Sequence, residues 1–411
     1  MKIPFFFEST LTGNDRKFNG VDLSNNSILY FENEDSKSYL PDFLQYNNIL
    51  EVDDTFTEKY YYPIYISCHI FSDNFILRNE NFIKIPDNVL NDIRNNRAKV
   101  LLVNIYEGYT LDEFDKIINE KFILPYKLNY NNFVTLTGNL LPYSNKNVPN
   151  IYFNSWENIF KYHAEETDHN PLEKSLKNLI AHKPKTYKFI CLQRRPKQQR
   201  VALFTELLKQ ESGILTMGIG DDGNFDEIDN IEQSMVFDYP KSFRKYQKYQ
   251  VRKMLPKEYD TELTINNPTH DENIEKYLDS YLHIVSETYF ENNLDQMFFS
   301  EKIYKPVVFL QPFIIFGQTH SLQHLKKLGF KTFSPFINEE YDNIHNDHER
   351  FNAALKSVKS FLRNDHKTMH NMMKEMIPIL IHNYYTLKDR NGSKIELTLL
   401  NELSRNLNVK S

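Results

Sequence analysis

The stretch KVLLVNIYEGYTLDEFDKIINEKF, residues 99–122, decides the fold class of this chain. Its first ten residues form an apolar run that ends in Glu and Gly, which predicts a buried strand. Residues 110–122 follow with a threonine at the capping position, an acidic first turn and apolar residues at helical spacing, which predicts a helix. NNFVTLTGNL, residues 131–140, predicts the next strand. Together they predict a βαβ unit with a right-handed crossover.

The same alternation extends along most of the chain, with further strands predicted in SILYFEN and YYPIYISCHIF upstream. Downstream, YKFICLQ (187–193), YLHIVSETYF (281–290), QPFIIFG (311–317) and KTF (331–333) predict strands, with helices between them. From about residue 347 onward the pattern predicts helices alone. The polar segment 168–186 contains two prolines and predicts a domain boundary.

These patterns predict an α/β protein of two Rossmann-like domains that face each other across a cleft. The predicted parts are an N-terminal domain (1–170), a linker (171–186), a C-terminal domain (187–365) and a helical tail (366–411). In open α/β sheets, ligands bind beyond the carboxyl ends of the strands. The residues that directly follow each predicted strand are therefore the first candidates for a site.

The composition favours a globular, soluble protein. The chain has 411 residues, of which 40% are hydrophobic and 25% charged, and its net charge is -6. That balance argues against a nucleic-acid or anionic-membrane partner. With two cysteines in apolar runs, no pattern of a signal peptide and no apolar run of membrane-spanning length, we expect a cytoplasmic protein without a transmembrane segment.

The first candidate site is CLQRRPKQQR, residues 191–200, where Arg194, Arg195, Lys197 and Arg200 lie between a predicted strand and a predicted helix. Cations at the N-terminus of a helix oppose its dipole unless an anion is bound there. Arginine also suits bidentate contact with phosphate. The alternative is a solvated loop before a helix.

The second candidate site is FFSEKIYKPVVFLQPFIIFG, residues 298–317, in which charges directly precede an apolar run. Glu301 can accept hydrogen bonds from both hydroxyls of a ribose, and Lys302 or Lys305 can neutralise a diphosphate. The alternative is an ion pair within one helix between Glu301 and Lys305, four residues apart.

The segment SETYFENNLDQMFFSEKIYKPVVFLQPFIIFG resembles the donor-binding motif of fucosyltransferases and related GT-B glycosyltransferases, including bacterial and viral members. In those enzymes a Ser/Thr-Glu-Lys triplet precedes an apolar strand that ends in glycine. The basic segment 191–200 and the tail SLQHLKKLGFKTFSPFINEEYDNI also resemble the family. The resemblance covers roughly residues 187–350 and implies a GT-B fold.

The resemblance implies that Glu301 binds the ribose and Lys302 the diphosphate, with Arg195 as a second phosphate partner. Glu287 and Tyr289 line the sugar or base pocket in this interpretation. Lys305 has no counterpart in the fucosyltransferase motif, although its chemistry suits phosphate. The full set of predicted donor-binding residues, from the resemblance and from the chemistry of the residues together, is Arg194, Arg195, Arg200, Glu287, Tyr289, Ser300, Glu301, Lys302 and Lys305.

The sequence has no D-x-D triplet, and no Glu-x7-Glu pair follows residue 186. Both observations favour an inverting enzyme that needs no metal or other cofactor. Such a transfer needs a base in the N-terminal domain, close to the acceptor hydroxyl. We predict Glu107, because it ends a central strand and the following Gly108 permits a close approach. Asp73, His69 and Glu8 are the alternatives.

The sequence therefore leads us to expect a glycosyltransferase that moves a sugar, with fucose as the family's example, from a nucleotide-sugar to a glycan hydroxyl. A GDP-sugar is the favoured donor. The alternatives are the same fold acting on a protein or DNA acceptor, and a non-catalytic module that binds a nucleotide or sugar. The sequence leaves the oligomeric state open.

Overall fold

The chain folds into two compact units, each built from separate stretches of sequence. The first comprises Met1–Ser155, Asn293–Phe298 and Asn391–Ser411, and the second comprises Trp156–Asn292 and Phe299–Arg390. The computed structural model describes residues 2–6, 17–18, 21–22, 40–41, 44, 48–53, 55–66, 85–106, 108–141, 148–157, 160, 176–177, 184–193, 197–210, 212–217, 271–292, 296–390 and 393–407.

The first unit contains a parallel sheet of six strands and a separate antiparallel pair. Its strands are β1 (Ile3–Phe6), β2 (Lys17–Phe18), β3 (Val21–Asp22), β4 (Ile49–Val52), β5 (Tyr60–Tyr65), β6 (Ala98–Asn104), β7 (Phe133–Thr137) and β8 (Asn150–Tyr152). The order in the large sheet is β4-β1-β5-β6-β7-β8, and neighbouring strands run parallel. β2 pairs with β3.

The βαβ unit predicted from residues 99–140 is confirmed. β6 is followed by helix α2 (Leu111–Ile117) and then by β7, its parallel neighbour. Thr110 caps α2 in a reciprocal box, because its hydroxyl accepts from the Glu113 N–H at 3.1 Å and the Glu113 carboxylate accepts from the Thr110 N–H at 2.7 Å. The helix continues through a π-helical turn (Ile118–Ile123) into α3 (Leu124–Tyr126).

Both faces of the first sheet are buried. Because side chains alternate along a strand, Val100 and Leu102 pack on one face, together with side chains of α1 (Asp87–Arg94) and α2. Leu101 and Val103 pack on the other face against leucines of the C-terminal helix α10 (Ser393–Leu407).

The helical tail predicted over 366–411 is divided between the two units. The Tyr61 hydroxyl donates to the Leu403 carbonyl at 2.9 Å, and Leu399 and Leu403 are buried in the core of the first unit. The division predicted at residues 1–170, 187–365 and 366–411 therefore differs from the observed one, because α10 completes a core that begins some 390 residues earlier in the chain.

The second unit contains a four-stranded parallel sheet in the order β10-β9-β11-β12. Its strands are β9 (Tyr187–Gln193), β10 (Gly213–Met217), β11 (Ser280–Ser286) and β12 (Phe313–Phe316). Its helices are α4 (Gln198–Leu207), α5 (Asp271–Leu278), α6 (Glu301–Val308), α7 (Ser321–Lys327), α8 (Asp347–Leu362) and α9 (His366–Arg390).

The apolar run in residues 307–316 is shared by a helix and a strand. α6 ends at Val308, Leu310 takes a left-handed conformation with φ 51°, and β12 begins at Phe313. The strand predicted at residues 331–333 is absent from this described stretch. The backbone N–H and C=O of Lys331 bond instead to the side-chain amide of Asn383, at 2.7 and 2.8 Å.

The prediction of an α/β protein with parallel sheets and a helical C-terminal region is confirmed. Among the described residues, no helix is both long enough and apolar enough to span a membrane.

Candidate functional site

The strand order of the second sheet reverses between β9 and β11. β9 is connected onward to β10 on one side, whereas β11 is connected onward to β12 on the other. A reversal of this kind leaves a crevice at the carboxyl ends of the two central strands, where α/β proteins bind ligands. Here β9 ends at Gln193 and β11 ends at Ser286, so the basic segment and the residues that begin with Ser286-Glu287 both lie at this edge.

Ser300 caps the N-terminus of α6 and ties it to the end of β11. Its hydroxyl accepts from the backbone N–H of Lys302 at 3.4 Å and donates to Oε2 of Glu287 at 2.5 Å. The same carboxylate oxygen accepts from the backbone N–H of Ser300 at 3.3 Å and of Thr288 at 3.1 Å. The Ser-Glu-Lys triplet is therefore held in place by the residue that follows β11.

Glu301 forms its ion pair with the adjacent Lys302, whose Nζ lies 2.5 Å from Oε1 of Glu301. Burial alone would raise the pKa of the Glu301 carboxyl, but the charges of Lys302 and Lys305 outweigh it and lower the pKa to about 2. Lys305, the alternative partner that the spacing suggests, acts on Glu301 electrostatically, while Lys302 makes the close contact. Glu301 remains a carboxylate at any physiological pH.

The basic segment after β9 approaches the same point. Lys197 Nζ donates to the Thr288 carbonyl at 2.8 Å, and Arg200 Nη2 donates to the Glu287 carbonyl at 3.2 Å. Lys302 Nζ donates to the Thr288 hydroxyl at 3.2 Å. Three cations from two segments therefore surround the dipeptide Glu287–Thr288. Arg194 and Arg195 lie outside the described residues.

Glu287 and Tyr289 differ in their surroundings. Glu287 is only 2% exposed, and burial raises the pKa of its carboxyl against the opposing charge of Lys302 and the hydrogen bond from Ser300. The Tyr289 ring lies 5.7 Å from Lys197 Nζ, which is within the range of a cation–π contact. Glu287 is thus engaged within the protein, and Tyr289 lies beside one of the cations.

Lys305 lies on the buried side of α6. It is 9% exposed, and burial lowers the pKa of its amine to about 8. Its charge also contributes, after burial, to lowering the pKa of His283 on β11 to about 3. His283 contacts Gln311 at 3.3 Å, so this part of the sheet holds a polar cluster beneath the apolar run.

Arg350 of α8 holds the loops at the carboxyl edge of this sheet, a role that the sequence did not reveal. Its guanidinium is 2% exposed. It donates to four backbone carbonyls and pairs with one carboxylate: Phe290, Gly317, Ile344, His345 and Asp347. The signal in the sequence is an arginine on the apolar face of a helix that also buries Phe351, Ala354 and Val358.

The four predicted candidates for the base, Glu107, Asp73, His69 and Glu8, lie outside the described residues. The space next to Gly108 is filled by Phe298 of the same unit, whose side chain would clash with a Cβ on residue 108. The close approach that we assigned to Gly108 is therefore made by a protein side chain.

The topology of the first sheet bears on the same question. Its strand order reverses between β1 and β5. Glu8 follows β1 in the chain, and His69 and Asp73 follow β5, whereas Glu107 follows the neighbouring strand β6. Because α/β proteins bind ligands where the strand order reverses, this topology favours Glu8, His69 and Asp73 over Glu107 as the base.

A separate concavity of about 730 Å³ lies between α7 and residues 334–343. The carboxylates of Asp342 and Glu339, which line it, accept hydrogen bonds from the protein itself. Asp342 accepts from the backbone N–H groups of Leu322 and Gln323 at 2.8 and 3.0 Å, and Glu339 accepts from Phe333 N–H at 2.6 Å. The carboxylates of NEEYD, residues 338–342, therefore stabilise the fold at this edge of the unit.

Among the described residues, no group of three or more His, Cys, Asp or Glu side chains is placed to hold a metal ion. No protein-family model matches the chain, and no curated protein matches it. Among solved structures, the chain is similar to the N-terminal domain of Candida albicans trehalose-6-phosphate phosphatase, with a TM-score of 0.42 and 10% identity. The match covers 86% of this chain and 73% of that one, and it is too distant to bear on function.

Proposed function

We propose that this chain is a glycosyltransferase of GT-B architecture, which transfers a sugar from a nucleotide-sugar to a glycan hydroxyl by inversion and without a metal. One observation carries the proposal. Lys197, Arg200 and Lys302 meet around Glu287–Thr288, at the point where the strand order of a parallel sheet reverses. Such a point suits a nucleoside diphosphate.

The chemistry of the site matches that of a departing diphosphate. Two helices, α4 and α6, begin here, and the positive ends of their dipoles favour an anion. Lys197 donates to the Thr288 carbonyl, whereas Lys302 donates to the Thr288 hydroxyl and also pairs with the Glu301 carboxylate. Phosphate oxygens are charged acceptors and bind ammonium groups more strongly than the neutral carbonyl and hydroxyl of Thr288 do.

Glu301 supports the assignment of a nucleotide rather than a simple phosphate. Its carboxylate is ionised and lies at the first position of α6, next to the cation assigned to the diphosphate. A carboxylate accepts two hydrogen bonds from a vicinal diol such as a ribose. The base that activates the acceptor hydroxyl would come from the first unit, with Glu107, Glu8, His69 and Asp73 as candidates.

A ligand panel tests the donor site. The protein is titrated with GDP, UDP, dTDP and CMP in a thermal-shift assay, where a ligand at 100 times its dissociation constant adds about 2.7 kcal/mol of stability. We expect GDP to give the largest shift. Lys302→Ala should weaken the binding of that nucleotide roughly tenfold to a hundredfold, since charge-assisted hydrogen bonds contribute about 1.5–3 kcal/mol.

Lys326→Ala is the matched control, because Lys326 belongs to the same unit and its side chain is 54% exposed. Its affinity should equal that of the native protein. Unchanged affinity in a folded Lys302→Ala protein would contradict the donor site. Release of GDP from GDP-fucose that depends on an added glycan would support transfer, whereas binding without turnover would favour the non-catalytic alternative.

A further inference from the structure

Glu287 makes an unusual set of contacts for a buried carboxylate. Oε2 accepts three hydrogen bonds, from the Ser300 hydroxyl and from the N–H groups of Ser300 and Thr288. Oε1 is buried and has no hydrogen-bond partner among the described residues. Leaving a buried carboxylate oxygen unpaired costs stability, and the contacts of this side chain are therefore concentrated on Oε2.

The contact with Ser300 fixes the direction of a hydroxyl. A serine hydroxyl has one proton, and Oε2 of Glu287 already accepts from two backbone N–H groups, so it accepts from the hydroxyl as well. The 2.5 Å contact therefore takes the proton of Ser300 toward Glu287. Both lone pairs of Ser300 then face Lys302, whose backbone N–H lies at 3.4 Å and whose Nζ lies at 3.2 Å.

We propose that Glu287 is a positioning residue, which fixes the Ser300 hydroxyl as an acceptor and so holds the Lys302 ammonium where the donor diphosphate binds. This inference rests on the proposed function. It differs from the role that the resemblance implied, in which Glu287 lines the sugar or base pocket. A carboxylate that is 2% exposed and bonded to the protein acts through its neighbour, Lys302.

The side chain of Glu287 can be tested apart from its backbone. The carbonyl of Glu287 accepts from Arg200, and the carbonyl of Thr288 accepts from Lys197, so neither contact uses the Glu287 side chain. Substitution of Glu287 therefore removes the link to Ser300 and Lys302 while it keeps the link to the basic segment.

A double-mutant cycle in the full-length protein tests the role, with GDP and inorganic pyrophosphate as ligands in calorimetry. Glu287→Ala should weaken both ligands about fivefold to tenfold, because a hydrogen bond that orients the cation is lost. Glu287→Gln should stay within about threefold of the native affinity, since its amide oxygen still accepts the Ser300 proton. In the Lys302→Ala background, Glu287→Ala should add less than about twofold.

Ser300→Ala removes the same link from its other end and serves if Glu287→Ala does not fold. It should reproduce the loss, and it too should have little effect once Lys302 is removed. Glu339→Ala is the control. That carboxylate also accepts from a hydroxyl and a backbone N–H in the same unit, at 2.7 and 2.6 Å, and its removal should leave both affinities unchanged.

The outcomes separate the two proposals. If the native protein binds GDP or pyrophosphate and the loss in Glu287→Ala is just as large without Lys302, the positioning role is overturned and the donor site stands. If neither GDP, UDP, dTDP nor pyrophosphate binds the native protein, the proposed function is overturned and the positioning role with it.

Discussion

Replacement of Arg350 by methionine tests whether one buried guanidinium holds the carboxyl edge of the second sheet. Methionine keeps much of the side-chain length and apolar stem but removes every donor. The four carbonyls that Arg350 bonds belong to three separate loops, which follow β11, follow β12 and precede α8. In the variant these carbonyls lose a donor, and Asp347 loses its cation.

The expected loss of stability follows from burial. The guanidinium is 2% exposed, whereas the Asp347 side chain is 22% exposed and keeps part of its hydration. Breaking a buried, hydrogen-bonded ion pair costs about 3–5 kcal/mol. With a urea slope of about 2–3 kcal/mol/M, the unfolding midpoint of the second unit should fall by roughly 1–2 M.

The assay is urea unfolding of the native protein and three variants. Arg350→Lys should recover less than half of the loss, because one ammonium cannot span four carbonyls in different directions. Arg363→Met, at the exposed C-terminal end of the same helix, should stay within about 0.5 kcal/mol of the native protein. A change in Arg350→Met of less than about 1 kcal/mol, with nucleotide affinity retained, would refute the role of Arg350.

Three further predictions concern the candidate site. Folding lowers the pKa of Glu301 from 4.5 to about 2, so Glu301→Gln should lower the free energy of unfolding by about 3 kcal/mol at pH 7. This difference from the native protein should disappear as the pH falls from 4.5 to 2, because the native carboxylate becomes protonated. A difference that stays constant in urea titrations across that range would contradict the prediction. Nucleotide binding should survive excess EDTA, since the sequence has no D-x-D triplet, and a requirement for added magnesium in calorimetry would argue against it. If Glu107 is the base, Glu107→Gln should cut turnover by about 10²–10⁴-fold with nucleotide affinity intact, and a drop below about threefold would move the role to Asp73, His69 or Glu8.

The sequence predicted the elements that depend on local pattern. The strand of residues 187–193 and the capped helix after β6 match because burial period and capping chemistry act within a few residues. The predictions fail where contacts with residues distant in the sequence determine the structure. Residues 331–333 follow the glycine that ends a helix and contain Thr332 and Phe333, which favour a strand, but the amide of Asn383, 52 positions away, takes the backbone bonds of Lys331 that a strand would need.

The assignment of α10 to the first unit shows the same limit. Its leucine spacing predicts a helix, and any apolar face in the chain could cover it equally well by pattern alone. The face that does so belongs to Leu101 and Val103, while α1 and α2 cover the opposite face of the sheet. Tertiary complementarity of this kind is invisible in a single sequence.

The segments that resemble the fucosyltransferase motif separate, in three dimensions, into residues of two kinds. The basic segment and the Ser-Glu-Lys triplet bring cations to one edge of the sheet, and such residues stand out because charge beside an apolar run is unusual. The NEEYD segment is also charged, yet its carboxylates cap backbone N–H groups of their own unit. Charge in a sequence therefore marks where polar contacts must form, and only the positions of the donors decide whether the partner is a ligand or the chain itself.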